Sequence, residues 1–178
     1  SRYVPELRQE GNLLVLAERF ASGSFSFRGS ARWKLATPDG LKIRFRTGSG
    51  DLEVREVKVD LNAGLGSGNV DISGLAGALR VSEGSGDINL TNITGTVQAS
   101  EGSGDMDIRN LIGDLSASTG SGSVDVTDSE GDVSISAGSA DIRVRGVKGG
   151  LKLRGGSGDI RATEVSITGA SSLSTGSG

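Results

Sequence analysis

Aspartate recurs in this 178-residue chain at a spacing that invites chemistry. Asp51, Asp87, Asp105, Asp141 and Asp159 fall on one even interval, and Asn69 and Ser123 fill its two gaps. Carboxylates brought close together resist full ionisation. They attract cations or basic partners, and a pair at suitable separation serves as acid and base in sugar chemistry. The nearest catalytic set here is Asp105, Asp107 and Asp125 with Arg109, on the pattern of carbohydrate-active enzymes. Other features weigh against catalysis. The chain has no His and no Cys, which excludes His/Cys zinc sites, Ser-His or Cys-His nucleophiles and disulfides. No aromatic residue follows Phe45, so most of the chain lacks the rings on which sugars and bases stack. The expectation is a non-enzyme with no cofactor and no nucleic-acid partner.

Calcium calls for a separate comparison. The calcium-binding β-roll repeat is Gly-Gly-x-Gly-x-Asp-x-apolar-x, and two copies span the interval from Asp87 to Asp105. The column matching its Asp reads Glu53, Asp71, Asn89, Asp107, Asp125, Arg143, Arg161. It is acidic only in the middle, and the second half of each repeat shows no Asp ladder. Asp107 and Asp125 are therefore weak calcium candidates, and no metal site is assigned. No phosphate loop is present either, because the Gly-x-x-x-x-Gly-Lys-Ser/Thr string is absent. The simplest role for Asp51, Asn69, Asp87, Asp105, Asp141 and Asp159 is a structural turn ladder. Asp and Asn side chains accept hydrogen bonds from the backbone N–H groups of a turn.

These residues belong to an 18-residue repeat. Gly-Ser-Gly-Asp or a near relative starts at Gly48, Gly66, Gly84, Gly102, Gly120, Gly138 and Gly156. Counted from each first Gly, positions 5 and 7 are aliphatic, for example Ile88 and Leu90, or Val124 and Val126. Positions 14 and 16 are aliphatic as well, for example Leu79 and Val81, or Val133 and Ile135. Apolar residues two apart mark strands with one face inward. Position 10 adds a lone inward aliphatic on a short third side. Position 12 is Gly in five copies, a residue suited to tight corners. One coil cannot bury its apolar face, but stacked coils can. The repeat predicts an all-β fold, a single-stranded parallel β-solenoid with 18-residue coils. Seven coils at ~4.8 Å make a rod of roughly 34 Å. No stretch keeps a 3.6-residue period, so helices are not expected.

The chain reads as one solenoid domain. All six aromatics lie before residue 48. Residues 1–28 are expected to form an N-terminal β cap with strands near 12–17 and 23–28. Residues 29–47 read as a widened first coil, and 48–178 as the regular coils. Phe25, Phe27, Trp33 and Phe45 are the expected cap core, because a bare solenoid end exposes core and backbone edge. The formal charge is −3, unlike a nucleic-acid binder. Residues 61–140 carry 2 basic and 11 acidic groups, between two mildly basic ends. The chain opens at Ser1, so a leader or membrane anchor, if any, is expected outside it. Its close at Gly176-Ser177-Gly178 reads as the start of a further coil.

Thr47-Gly48-Ser49-Gly50-Asp51-Leu52-Glu53-Val54 and Glu83-Gly84-Ser85-Gly86-Asp87-Ile88-Asn89-Leu90 resemble a bacterial adhesin-type family. That family consists of β-strand-repeat domains of unknown function, and its adhesin label is an inference from shape. The Pro38-Asp39-Gly40-Leu41-Lys42-Ile43 lead-in is similar too. The resemblance spans about residues 29–178. It implies a right-handed β-helix and a cell-envelope or extracytoplasmic setting, and it supplies no catalytic residue. The expected function is a non-catalytic scaffold or adhesion module with a protein or glycan surface ligand. The alternative is a structural protein that stacks end to end into homo-oligomers through its C-terminal solenoid edge. A carbohydrate-active enzyme is the third reading.

Overall fold

Tyr3–Glu10 (β1) and Leu13–Phe20 (β2) form an antiparallel hairpin in the computed structural model, which describes residues 3–11, 13–20 and 38–177. Strand β2 then pairs in parallel with Lys42–Thr47 (β3), as in Leu13 with Lys42 and Ala17 with Arg46. The expected strand near 12–17 is thus β2. The hairpin partner β1 is an addition that the repeat pattern did not suggest. The expected strand at 23–28, and with it Phe25, Phe27 and Trp33, lies outside the described residues. Phe45 is described, and on β3 it is half-buried against the core.

From β3 onward every described pairing is parallel. The next strands are β4 (Leu52–Val57), β5 (Asp60–Leu65), β6 (Val70–Leu75), β7 (Leu79–Ser85) and β8 (Ile88–Thr94). Three long strands follow, namely β9 (Val97–Ile112), β10 (Leu115–Glu130) and β11 (Val133–Gly149). The last are β12 (Leu151–Ser157), β13 (Ile160–Thr163), β14 (Ser166–Ile167) and β15 (Ser172–Ser177). Neighbouring coils keep the repeat register throughout, as in Leu115 with Val133 and Val124 with Ile142. Only β12 with β15 slips by two, as in Lys152 with Ser172. The long strands are coils whose ladder continues around the Gly-Ser-Gly corner. The fold is the expected all-β parallel solenoid.

The cross-section has three sides. Positions 5 and 7 line one, positions 14 and 16 line another, and position 10 fills the short side. Ile72, Ile88, Leu90, Ile108, Leu115 and Ile135 are almost wholly buried, and so are Ile93 and Leu111 at position 10. Each such side chain contributes about 1.5–3 kcal/mol relative to exposure. Ser129 takes the position-10 place in one coil, fully buried with its hydroxyl unpartnered.

Three corners close each coil, where the repeat suggested two. The third is position 9, with left-handed backbone at Asn92, Asn110 and Asp128 (φ 56, 56 and 55). Asn and Asp tolerate that region better than other side chains do. The Asn110 side-chain amide also donates to Asn92 Oδ1 at 2.9 Å.

Close stacking at the corners demands glycine. At Gly113 φ is 135°, and a Cβ there would lie 2.2 Å from the Gly95 carbonyl oxygen of the coil below. Gly64 has ordinary backbone, and a Cβ there would meet only the Arg46 stem at 3.9 Å. Gly113→Ala is expected to cost roughly 2 kcal/mol or more. Gly64→Ala is expected to be neutral or to stabilise by up to about 1 kcal/mol. Urea denaturation of the two variants checks the contrast.

Candidate functional site

The repeat places its acidic residues on and under the Gly-Ser-Gly corner. Position 4 begins where the chain leaves that corner and points outward. Asp51 Oδ1 accepts the Asn69 N–H at 2.8 Å, and Asn69 Oδ1 accepts the Asp87 N–H at 3.1 Å. Asp87 Oδ1 accepts the Asp105 N–H at 3.1 Å. Asp105 Oδ1 accepts from both the Ser123 N–H (2.9 Å) and the Ser123 hydroxyl (2.7 Å). Asp141 Oδ1 accepts the Asp159 N–H at 3.0 Å. These bonds tie one coil to the next, whereas the sequence suggested bonds within the turn. The reason is the register: the equivalent residue of the next coil lies directly above, so its N–H is the nearest donor.

A second ladder stands at the position-12 corner. Asp60, Asp114 and Asp132 accept the N–H groups of Ala78, Asp132 and Gly150 at 2.8–2.9 Å. This corrects the expectation that the second half of the repeat has no Asp ladder. Asp60, Asp114 and Asp132 all stand at position 13, which is the signal that was passed over.

Asp107 and Asp125 face outward on neighbouring coils, paired in register on β9 and β10. Asp107 is ion-paired with Arg109. Asp125 lies 3.8 Å from Arg143, which also bonds Asp141 at 2.9 Å. Burial raises the Asp125 carboxyl above its ordinary value, Arg143 opposes that, and Asp107 and Asp105 reinforce it. Among the described residues no group of three or more acidic side chains is placed to hold a metal ion. The supposed catalytic set is therefore occupied. Asp105 holds Ser123, and Asp107 and Asp125 each have an arginine beside them.

Inside the corner, the structure holds two residues that sequence reading missed. Glu83 and Glu101, at position 18, are 4% exposed and stand in register on β7 and β9. Glu83 Oε1 accepts the Ser85 N–H at 2.9 Å. Glu83 Oε2 and both Glu101 oxygens are buried without a hydrogen-bond partner. Burial raises the Glu83 carboxyl, with the Ser85 bond opposing and Asp87 adding to the rise. Glu101 is pushed up to about 7, first by burial and then by the charges of Glu83, Asp87 and Asp105. The period-two pattern of positions 14, 16 and 18 was the available signal.

Among the described residues the surface depressions are shallow. One of about 390 Å³ lies on the short side, lined by Asn92, Asn110, Asp128, Glu130 and Lys148 beside the exposed Ile112. It is remote from the acidic corner in the repeat and brings no catalytic group to the acids.

Loss of the ladder acceptor has a defined cost. Asp105→Ala is expected to lower stability by about 1–2 kcal/mol, since it removes a charged acceptor of two bonds. Asp105→Asn is expected to retain most of that stability, because Asn69 already fills the same place. Thermal denaturation at pH 7 of both variants is the check.

A family model described as Toastrack DUF4097 matches residues 15–137 and again residues 76–178. The match supports the repeat-domain part of the resemblance seen in sequence, and it carries no adhesin role. No curated protein and no solved structure matches the chain.

Proposed function

The chain belongs to the Toastrack family, a domain family of unknown function, and on that premise we propose that it is a non-catalytic scaffold. It works as a stiff rod that displays side chains in straight rows to a partner in the cell envelope. The observation that carries this reading is the unbroken 18-residue register from β3 to β11. A register of that kind fixes the spacing of every outward residue along the rod. The acidic stretch 61–140, with 11 acidic and 2 basic residues, favours a basic protein surface as the partner. The carboxylates a lyase or hydrolase would use are engaged in coil-to-coil bonds and ion pairs. That supports a structural role for them over catalysis.

End-to-end assembly is a second reading, favoured by one observation. Strand β15 is exposed along its length, and Leu173 within it and Ile167 on β14 are each 55% exposed. Uncovered strand edges pair readily with other strands.

Three outcomes separate the readings. The scaffold reading expects no cleavage of a polysaccharide panel, and binding to basic protein surfaces that weakens as salt rises. Polysaccharide cleavage abolished by Asp107→Asn would establish the enzyme instead. Growth of the sedimentation coefficient with protein concentration, abolished by Leu173→Lys, would establish end-to-end assembly.

A further inference from the structure

We infer that Glu83 and Glu101 form a proton-binding site inside the solenoid, in which one proton is held between the stacked carboxyl groups and its release loosens the Gly-Ser-Gly corners above them. The two residues are Cα partners on adjacent coils, about 4.8 Å apart along the rod. Both are buried, and three of their four carboxyl oxygens have no hydrogen-bond partner. Two carboxylates are acceptors only and repel each other. Adding one proton turns one of them into a donor, so each group supplies what the other lacks.

Among the described residues the surroundings bring no compensating charge. Within the column, β5 contributes Leu65 and β10 contributes Thr119, neither of which titrates. The Thr119 hydroxyl donates instead to the Ser121 carbonyl at 3.2 Å. The charged groups acting on the pair from β7, from β9 and from the corner before β8 are Glu83, Glu101, Asp105 and Asp87, all acidic. Asp87 and Asp105 already commit an oxygen to the outer ladder.

The roof over the pair is glycine backbone. A Cβ on Gly104 would lie 2.2 Å from Glu101 Oε1, and one on Gly86 would lie 3.1 Å from Glu83 Oε1. The carboxyl groups therefore press directly beneath the corners. When both are charged, water has to reach them, and the half-exposed Gly86 and Gly104 lie on the way.

The folded protein holds the Glu101 proton up to about pH 7, against an ordinary value of 4.5. Between those values the folded state binds more protons than the unfolded chain, so stability falls as pH rises. The loss begins near pH 4.5 and is complete above about pH 7.

Carbon-13 NMR titration of the glutamate side chains in the intact protein tests this without a variant. One carboxyl is expected to titrate near pH 7, and the amides of Ser103 and Gly104 should then exchange faster than base catalysis alone accounts for. Glu101→Gln is expected to melt above the wild type at pH 8 and together with it at pH 4.5. Glu83→Gln gives a second comparison on the same pair. Titration of both glutamates in the ordinary carboxylate range overturns the inference. So does a Gln variant whose melting difference is the same at every pH. Stabilisation of the wild type at pH 7.5 by calcium chloride, absent in Glu101→Gln, overturns it in favour of a cation site.

Discussion

Coil-to-coil stacking in an 18-residue register is the constraint on which everything else in this molecule depends. Val124 lies over Met106 and under Ile142 because the backbone hydrogen bonds of β9, β10 and β11 put them there. Once the register is set, each position of the repeat becomes a column with one environment. Aliphatics at positions 5, 7, 10, 14 and 16 share a core, and Asp at position 4 shares a row of N–H donors. A residue type that suits its column is stabilised by the coil above and the coil below. A type that does not suit it, such as Ser129 or Glu101, is held there by neighbours that do.

This explains which parts of the structure were legible in the sequence. The core columns were legible because they rest on hydrophobic burial, which leaves a period-two imprint that survives substitution of Ile by Val, Leu or Met. The Gly-Ser-Gly corner was legible because a Cβ in it would strike the carbonyl below. The position-9 corner was not, because Glu56, Gly74, Asn92, Asp128 and Glu164 share no side-chain chemistry, only left-handed backbone. The direction of the Asp bonds was missed for a different reason. A residue's neighbours along the chain are visible in a sequence, whereas the N–H one coil away becomes its nearest donor only after stacking.

Glu83 and Glu101 show the limit of reading polarity as exposure. A carboxylate is expected at the surface, since burial of an unpaired charge is costly. Yet alternation from Leu79 and Val81 carries Glu83 inward, and from Val97 and Ala99 it carries Glu101 inward. Strand geometry outweighs the preference of one side chain because flipping it would turn out its whole strand. The outer acids face no such conflict. Many of them serve as coil-to-coil acceptors or pair with an arginine or lysine, and exposed pairs of that kind add little stability singly. The acidic surface is thus mostly a by-product of the ladder and of solvation.

Excision of one coil tests the register most directly. Removal of Gly113–Glu130, one full coil, joins Ile112 to Gly131 with every column intact. Thermal denaturation followed by circular dichroism is expected to show a cooperative β protein with a transition close to that of the parent. Removal of 113–121, half a coil, joins Ile112 to Gly122, leaves one coil without its position-14 and position-16 side, and is expected to abolish the transition. Unfolding of the full-coil deletion, or equal stability of the two, would contradict the account.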